Sequence, residues 1–101
     1  MNSFNKCINN IDNRGWTALH WACYFGYEQM VKLLIDNKAM LDIKTIEGLS
    51  NDSKYTNKTA KSIAKLRYNK KCAKMITNCK IKRRNKKVLD FIKSVLEFIQ
   101  K

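Results

Sequence analysis

Apolar positions in this chain follow three patterns, and each predicts a helix of a different kind. From Ala18 to Phe25 ("ALHWACYF") nearly every residue is apolar, which predicts a short helix buried around most of its circumference. From Tyr27 to Asn37, Met30, Val31, Leu33 and Leu34 recur at i, i+3 and i+4 with Lys32 and Asp36 outside the stripe, the pattern of an amphipathic helix. From Lys87 to Lys101, steps of about 100° put Val88, Leu89, Phe91, Ile92, Val95, Leu96, Phe98 and Ile99 on one half of a helical wheel. Asp90, Lys93, Ser94, Glu97 and Gln100 fill the other half.

Local signals bound the first two helices. Thr17 is placed to cap the first, its hydroxyl accepting a bond from a free N–H of the opening turn. Gly26 separates the two, since a tight exit from a helix often needs positive φ. The result is an antiparallel helical hairpin, which cannot bury its own apolar face and needs a neighbour.

A second, weaker copy supplies one. Gly48 follows Gly15 at a spacing of 33; beyond Gly48 the match resumes at a spacing of 42, pairing Thr17 with Thr59, Ala18 with Ala60, Ala22 with Ala64, Met30 with Cys72 and Leu34 with Ile76. The difference is a nine-residue polar insertion, "LSNDSKYTN", Leu49–Asn57.

Asp12–Lys44, "DNRGWTALHWACYFGYEQMVKLLIDNKAMLDIK", resembles a whole unit of the ankyrin repeat family, whose mark is a T-P-L-H-x-A start within a unit of about 33 residues. Ala18 stands for the Pro and Lys38 for the usual late Gly. Residues 45–78 are similar to a divergent terminal unit, with Lys61–Ser62 for the Leu–His pair and Tyr68 for the second Gly. Residues 7–11 fit the tail of a preceding unit. The resemblance implies a single all-α domain over residues 1–101: a short ankyrin-repeat solenoid with a β-hairpin-like finger loop. A basic linker at 79–86 and a C-terminal capping helix at 87–101 complete the expectation. Solenoids of this kind need about three units to close a core, so either the C-terminal helix substitutes for one, or the chain dimerises, or it belongs to a longer array.

Charge changes the picture in one place. Net charge is +13, but residues 1–53 carry −1 and 88–101 carry zero, while 54–87 hold fourteen Lys or Arg and no acid. Lys58, Lys61 and Lys65 recur at helical spacing, and "KIKRRNKK" brings Lys80, Lys82, Arg83, Arg84, Lys86 and Lys87 together. Such a run serves solubility, nuclear import or an anionic partner, whether nucleic acid or acidic lipid. No aromatic residue interleaves it, so nucleic-acid binding there is phosphate-directed and of low sequence specificity. Cys7, Cys23, Cys72 and Cys79 make no CxxC pair, and the first residues lack an apolar signal segment. Reduced thiols and a cytoplasmic or nuclear location are therefore expected. The longest strictly apolar run, Trp21–Phe25, is far below the ~20 residues that span a bilayer.

The chemistry-bearing residues point away from catalysis. His20 is the single histidine and no Cys spacing completes a metal site with it; no Ser or Cys nucleophile has a second His to serve it. No enzyme, cofactor or metal is expected. In the family resembled, the matching His bonds backbone groups between turn and helices. The resemblance also places Asn13, Arg14, Trp16, Tyr24 and Phe25 on the concave surface that holds protein partners, and aromatic and Arg side chains suit that role. Alternatively, Trp16 and Phe25 pack on a neighbouring unit or on the Leu49–Asn57 loop. Trp21 is expected on the core side. The C-terminal helix is expected to dock on the second repeat, with a partner helix or homodimer behind that reading. A membrane role stands last, since Asp90 and Glu97 offset Lys93 and Lys101.

Overall fold

The computed structural model describes residues 7–48 and 53–100, whose regular elements are helical, with no strand among them. The helices are α1 (Ala18–Phe25), α2 (Glu28–Asp36), α3 (Ala60–Leu66) and α4 (Lys70–Gln100), with one 3-10 turn at Ser53–Tyr55. Thr17 caps α1, its Oγ1 accepting from His20 N at 3.3 Å, and Thr59 caps α3 in the same way from Ser62 N at 3.3 Å. Gly26 closes α1 in the left-handed region at φ 73°, returning its N–H to Ala22 O. Lys38 and Tyr68, at the positions where the resembled unit has Gly, adopt the same left-handed conformation at φ 67° and 61°.

The two hairpins stack. Leu19, Ala22, Cys23, Val31 and Leu34 of the first pack against Ala60, Ala64, Cys72, Ala73 and Ile76 of the second, with Ile8 and Leu41 closing the margins. Alanines at Ala22, Ala60, Ala64 and Ala73 leave room for the helices to approach. Asn69 then fastens the second hairpin to the first, its Nδ2 donating to Cys23 O (2.7 Å) and Tyr24 O (3.2 Å) at the end of α1. A Cβ on Gly26 would lie 2.8 Å from Asn69 Oδ1, so this junction needs a glycine for space as well as for φ.

Among the described residues the finger forms no strand: Thr45 N donates to Lys58 O and Asn57 N to Thr45 O, closing a neck. Residues 49–52 of the insertion, and Lys101, lie outside the described residues. Two expectations for the C-terminal part are corrected. The basic stretch 79–86 is not a linker, and residues 87–100 do not dock as a cap. Both belong to α4, one continuous helix of 31 residues. No Gly or Pro interrupts Lys70–Gln100, and Lys, Arg, Leu and Ala favour the helical state, so nothing turns the chain back. Only the first part of α4, with Cys72, Ala73 and Ile76, is buried; from Arg84 to Gln100 every residue is exposed. The molecule is accordingly elongated, 61 × 31 × 24 Å.

Candidate partner-binding surface

The turn at residues 12–16 ahead of α1, a first finger to the second at residues 45–58, is organised by a carboxylate. Asp12 Oδ1 accepts from the backbone N–H of Arg14 and of Trp16, both at 2.9 Å, and Oδ2 accepts from Trp21 Nε1 at 3.0 Å. Burial alone would raise the Asp12 pKa; the bonds from Trp16, Trp21 and Arg14 outweigh it and hold the group below its ordinary value. Thr45, one repeat further along the chain, plays the corresponding part in the second finger. It is buried, donates from Oγ1 to Tyr55 O (2.6 Å) and accepts from Lys58 N (2.9 Å). The fingers join where Ile46 N and Glu47 N both donate to Arg14 O. Gly15, at φ 81°, is required there because a Cβ would lie 2.7 Å from Ile46 N.

His20 ties this frame to α1. Its Nδ1 accepts from Thr17 N at 2.9 Å, while Nε2 reaches two carbonyl oxygens, Ile43 at 2.8 Å and Lys58 at 3.2 Å. Carbonyls only accept, so the proton sits on Nε2 and the ring is neutral. Burial holds its pKa below the ordinary value, against the upward pull of the two carbonyls and of Asp12. Both ring nitrogens are thus engaged by protein groups.

Trp16 lies in the core and not at the contact surface, in line with the alternative that it packs on the inserted loop, and Trp21 packs half-buried against it. Trp16, expected at the contact surface, is 1% exposed, packed with Tyr55 and Ile63, and its Nε1 donates to Glu47 O at 2.9 Å. The described end of the insertion covers it: Tyr55 meets Trp16 edge-on at 6.1 Å and Tyr24 at 5.5 Å. Trp21, expected in the core, is only half-buried. Its counterpart one repeat on, Ile63, is fully buried because the first hairpin covers it; among the described residues no unit covers Trp21.

What remains on the surface is an aromatic row. Trp21, Phe25 and Tyr27 stack in sequence, at 6.0 Å and 5.4 Å with interplanar angles of 20°, and Phe25 and Tyr27 are 54% and 59% exposed. Tyr24 lies half-buried beside them with the Arg67 guanidinium 4.3 Å over its ring, and Arg67 Nε donates to Tyr24 O at 3.3 Å. Asn13 is exposed and Arg14 half-buried on the neighbouring finger turn. Tyr27 and Arg67 were missed by sequence reasoning; an aromatic one place after the helix-ending Gly was the available signal for the first.

The basic residues are divided among sites. Lys58 precedes α3 and is not on its face, contrary to the spacing argument, because the helix starts at Ala60. Lys61 and Lys65 line a groove of about 390 Å³ with Lys70 and Lys74. Lys80, Arg83, Arg84 and Lys87 line a cleft of about 540 Å³ against Met40, Leu41 and Asp42; Lys82 and Lys86 are not among its lining. Lys80 pairs with Asp42 at 2.8 Å. Arg83 Nη1 donates to Ala39 O at 3.0 Å, whereas Nη2 is buried with no hydrogen-bond partner among the described residues.

A Thr-capped hairpin with a buried, backbone-bonding His and a left-handed Gly between its helices is one unit of a known repeat, and the ankyrin repeat family model matches residues 14–46. Residues 14–46 are an ankyrin repeat. Ankyrin repeats typically act as non-catalytic units of protein–protein interaction. The second hairpin lies beyond the matched residues and shares with the repeat its Thr cap and left-handed exit. Two proteins of Arabidopsis thaliana are similar over this region. Calmodulin-binding transcription activator 6 is 47% identical over 38 residues, and calmodulin-binding transcription activator 5 is 50% identical over 34. These spans are 38% and 34% of this chain, but the chain covers only 4% of the length of either relative. No solved structure matches the chain significantly.

Proposed function

We propose that the chain is a non-catalytic binding module whose ankyrin repeat holds a protein partner on the exposed aromatic row and the adjoining finger turn. The observation that supports it is the exposure of Phe25 and Tyr27, stacked and braced from behind by Trp21 and Tyr24. Rigid aromatics already held in place lose little entropy on binding and are the residues that dominate interface energetics. Asn13 and Arg14 supply a polar rim. Trp16 contributes by fixing the finger from beneath. Phe25→Ala with Tyr27→Ala removes exposed rings and leaves the core intact, so the partners captured by affinity purification should be lost while thermal stability is kept. An unchanged set of captured partners would exclude this surface.

A second reading is favoured by Arg83. The Arg83 Nη2 is buried without a hydrogen-bond partner among the described residues, in a cleft also lined by Arg84 and Lys87, and an anion there would supply one. This reading has an anionic partner, nucleic acid or acidic lipid, binding at Lys80–Lys87 with affinity that collapses as salt rises. Heparin retention at low salt that Arg83→Gln with Arg84→Gln leaves unaltered argues against it. A nuclear-import role for the same run would instead appear as a change of location in that variant, with partners unaltered.

A further inference from the structure

Among the described residues, the second half of α4 carries the largest apolar surface that the fold leaves uncovered. Val88, Leu89, Phe91, Ile92, Val95, Leu96, Phe98 and Ile99 are 39–80% exposed. Eight side chains at such exposures amount to roughly the 800 Å² that each partner gives to a specific interface of standard size. The side of α4 that meets the body passes through Cys72, Ile76 and Arg83. At about 100° per residue, Val88, Ile92, Val95 and Ile99 lie roughly 120–180° round the helix from Arg83. These four side chains therefore point away from the body, with Phe91 and Phe98 about 60–80° from Arg83 on one flank, and another helix can reach the four without collision.

We propose that this stripe joins two copies of the chain as an antiparallel helix pair. The spacing of Ile81, Asn85, Val88, Ile92, Val95 and Ile99 alternates four and three, a heptad seam. In antiparallel register Val88 meets the partner's Ile99 and Ile92 meets the partner's Val95, so every layer is a β-branched pair and the arrangement is its own two-fold complement. Leu89 then faces the partner's Leu96, and Phe91 the partner's Phe98, on the flanks.

Charge selects both the partner and the direction. Residues 88–100 hold Asp90, Lys93 and Glu97 and are nearly neutral, so two copies of this segment do not repel. Residues 54–87 carry fourteen cations. Parallel pairing would set the Lys80–Lys87 runs side by side, whereas antiparallel pairing sends them to opposite ends.

The test is the mass of the whole protein by light scattering across concentration, with its shape by small-angle X-ray scattering. The proposal predicts twice the chain's 11.9 kDa. It also predicts a particle about 100 Å long, from two chains that share about 20 Å of helix at ~1.5 Å rise per residue, clearly beyond the single chain's 61 Å. Salt should strengthen the pair by screening the bodies from each other, opposite to its effect on anion binding. Ile92→Asp with Val95→Asp should restore the single-chain mass, and Ser94→Asp on the opposite face should not; tryptophan fluorescence verifies that the body is folded. A single-chain mass at every concentration overturns the proposal, as does a dimer no longer than one chain, or one indifferent to the two Asp substitutions.

Discussion

At Lys38 and Tyr68 the backbone holds ordinary L-residues at φ 67° and 61°, a conformation that costs a residue with a Cβ roughly 1–2 kcal/mol. Tyr68 is 84% exposed, so its ring contributes little that would be lost. Tyr68→Gly is expected to raise stability by about 0.5–1 kcal/mol, after the greater freedom of Gly in the unfolded chain is subtracted, read as a higher urea midpoint. His20 gives a pH dependence. It is neutral when folded and its pKa is lowered, so above about pH 6.5 the ring is neutral in both states and its network is fully effective. As pH falls through that value the unfolded chain takes up a proton that the folded one refuses, and stability declines. The urea midpoint should fall from pH 7.5 to 5.5, and His20→Gln, though less stable at pH 7.5, should lose that slope. The loss attached to Asp12, whose pKa is also lowered, begins only below about pH 3.8.

At the scale of elements, the insertion and α1 share one aromatic cluster, and its two kinds of member should respond differently. Trp16→Ala leaves a large cavity under Tyr55 and should cost about 3–5 kcal/mol; Phe25→Ala at the surface should cost under about 1 kcal/mol. Denaturant titration of the two variants measures the contrast. Helical periodicity made α1, α2 and their caps legible, because Thr17, Gly26 and the apolar stripe are all local signals. It did not say what covers a stripe, so the place of Trp16 stays open between the contact surface and the Leu49–Asn57 loop: its cover is Tyr55 of that loop, and Trp21 packs half-buried against the same cluster. Thr45 carries no periodic signal at all, and only its place one repeat on from Asp12 marks it as the hub of a finger. The basic run of α4 resembles a solvated linker by charge, while its helical propensity and lack of Gly or Pro point the other way. The second signal prevails because solvent screens the lysines and nothing breaks the helix.

For the whole molecule, the stacking of two hairpins into one body positions both the aromatic row and the basic cleft. It also buries Cys23 and Cys72 in the shared core. Burial pushes the Cys23 thiol up to about 12 and the Cys72 thiol upward, so neither forms thiolate at neutral pH. Exposed Cys7 should react quickly with a thiol reagent, and Cys23 and Cys72 only at the rate of unfolding. The similarity of residues 14–46 to ankyrin repeats covers the first hairpin alone, so everything built on a single body depends on the stacking of the second. Residue-resolved amide hydrogen exchange tests it directly. The core amides of α1–α3 and of residues 70–83 in α4 should share one protection free energy and open together, with residues 84–100 far less protected in dilute solution. Exchange of α3 that is orders of magnitude faster than that of α1 and α2 would contradict the stacked fold, because the second hairpin would then not belong to the body.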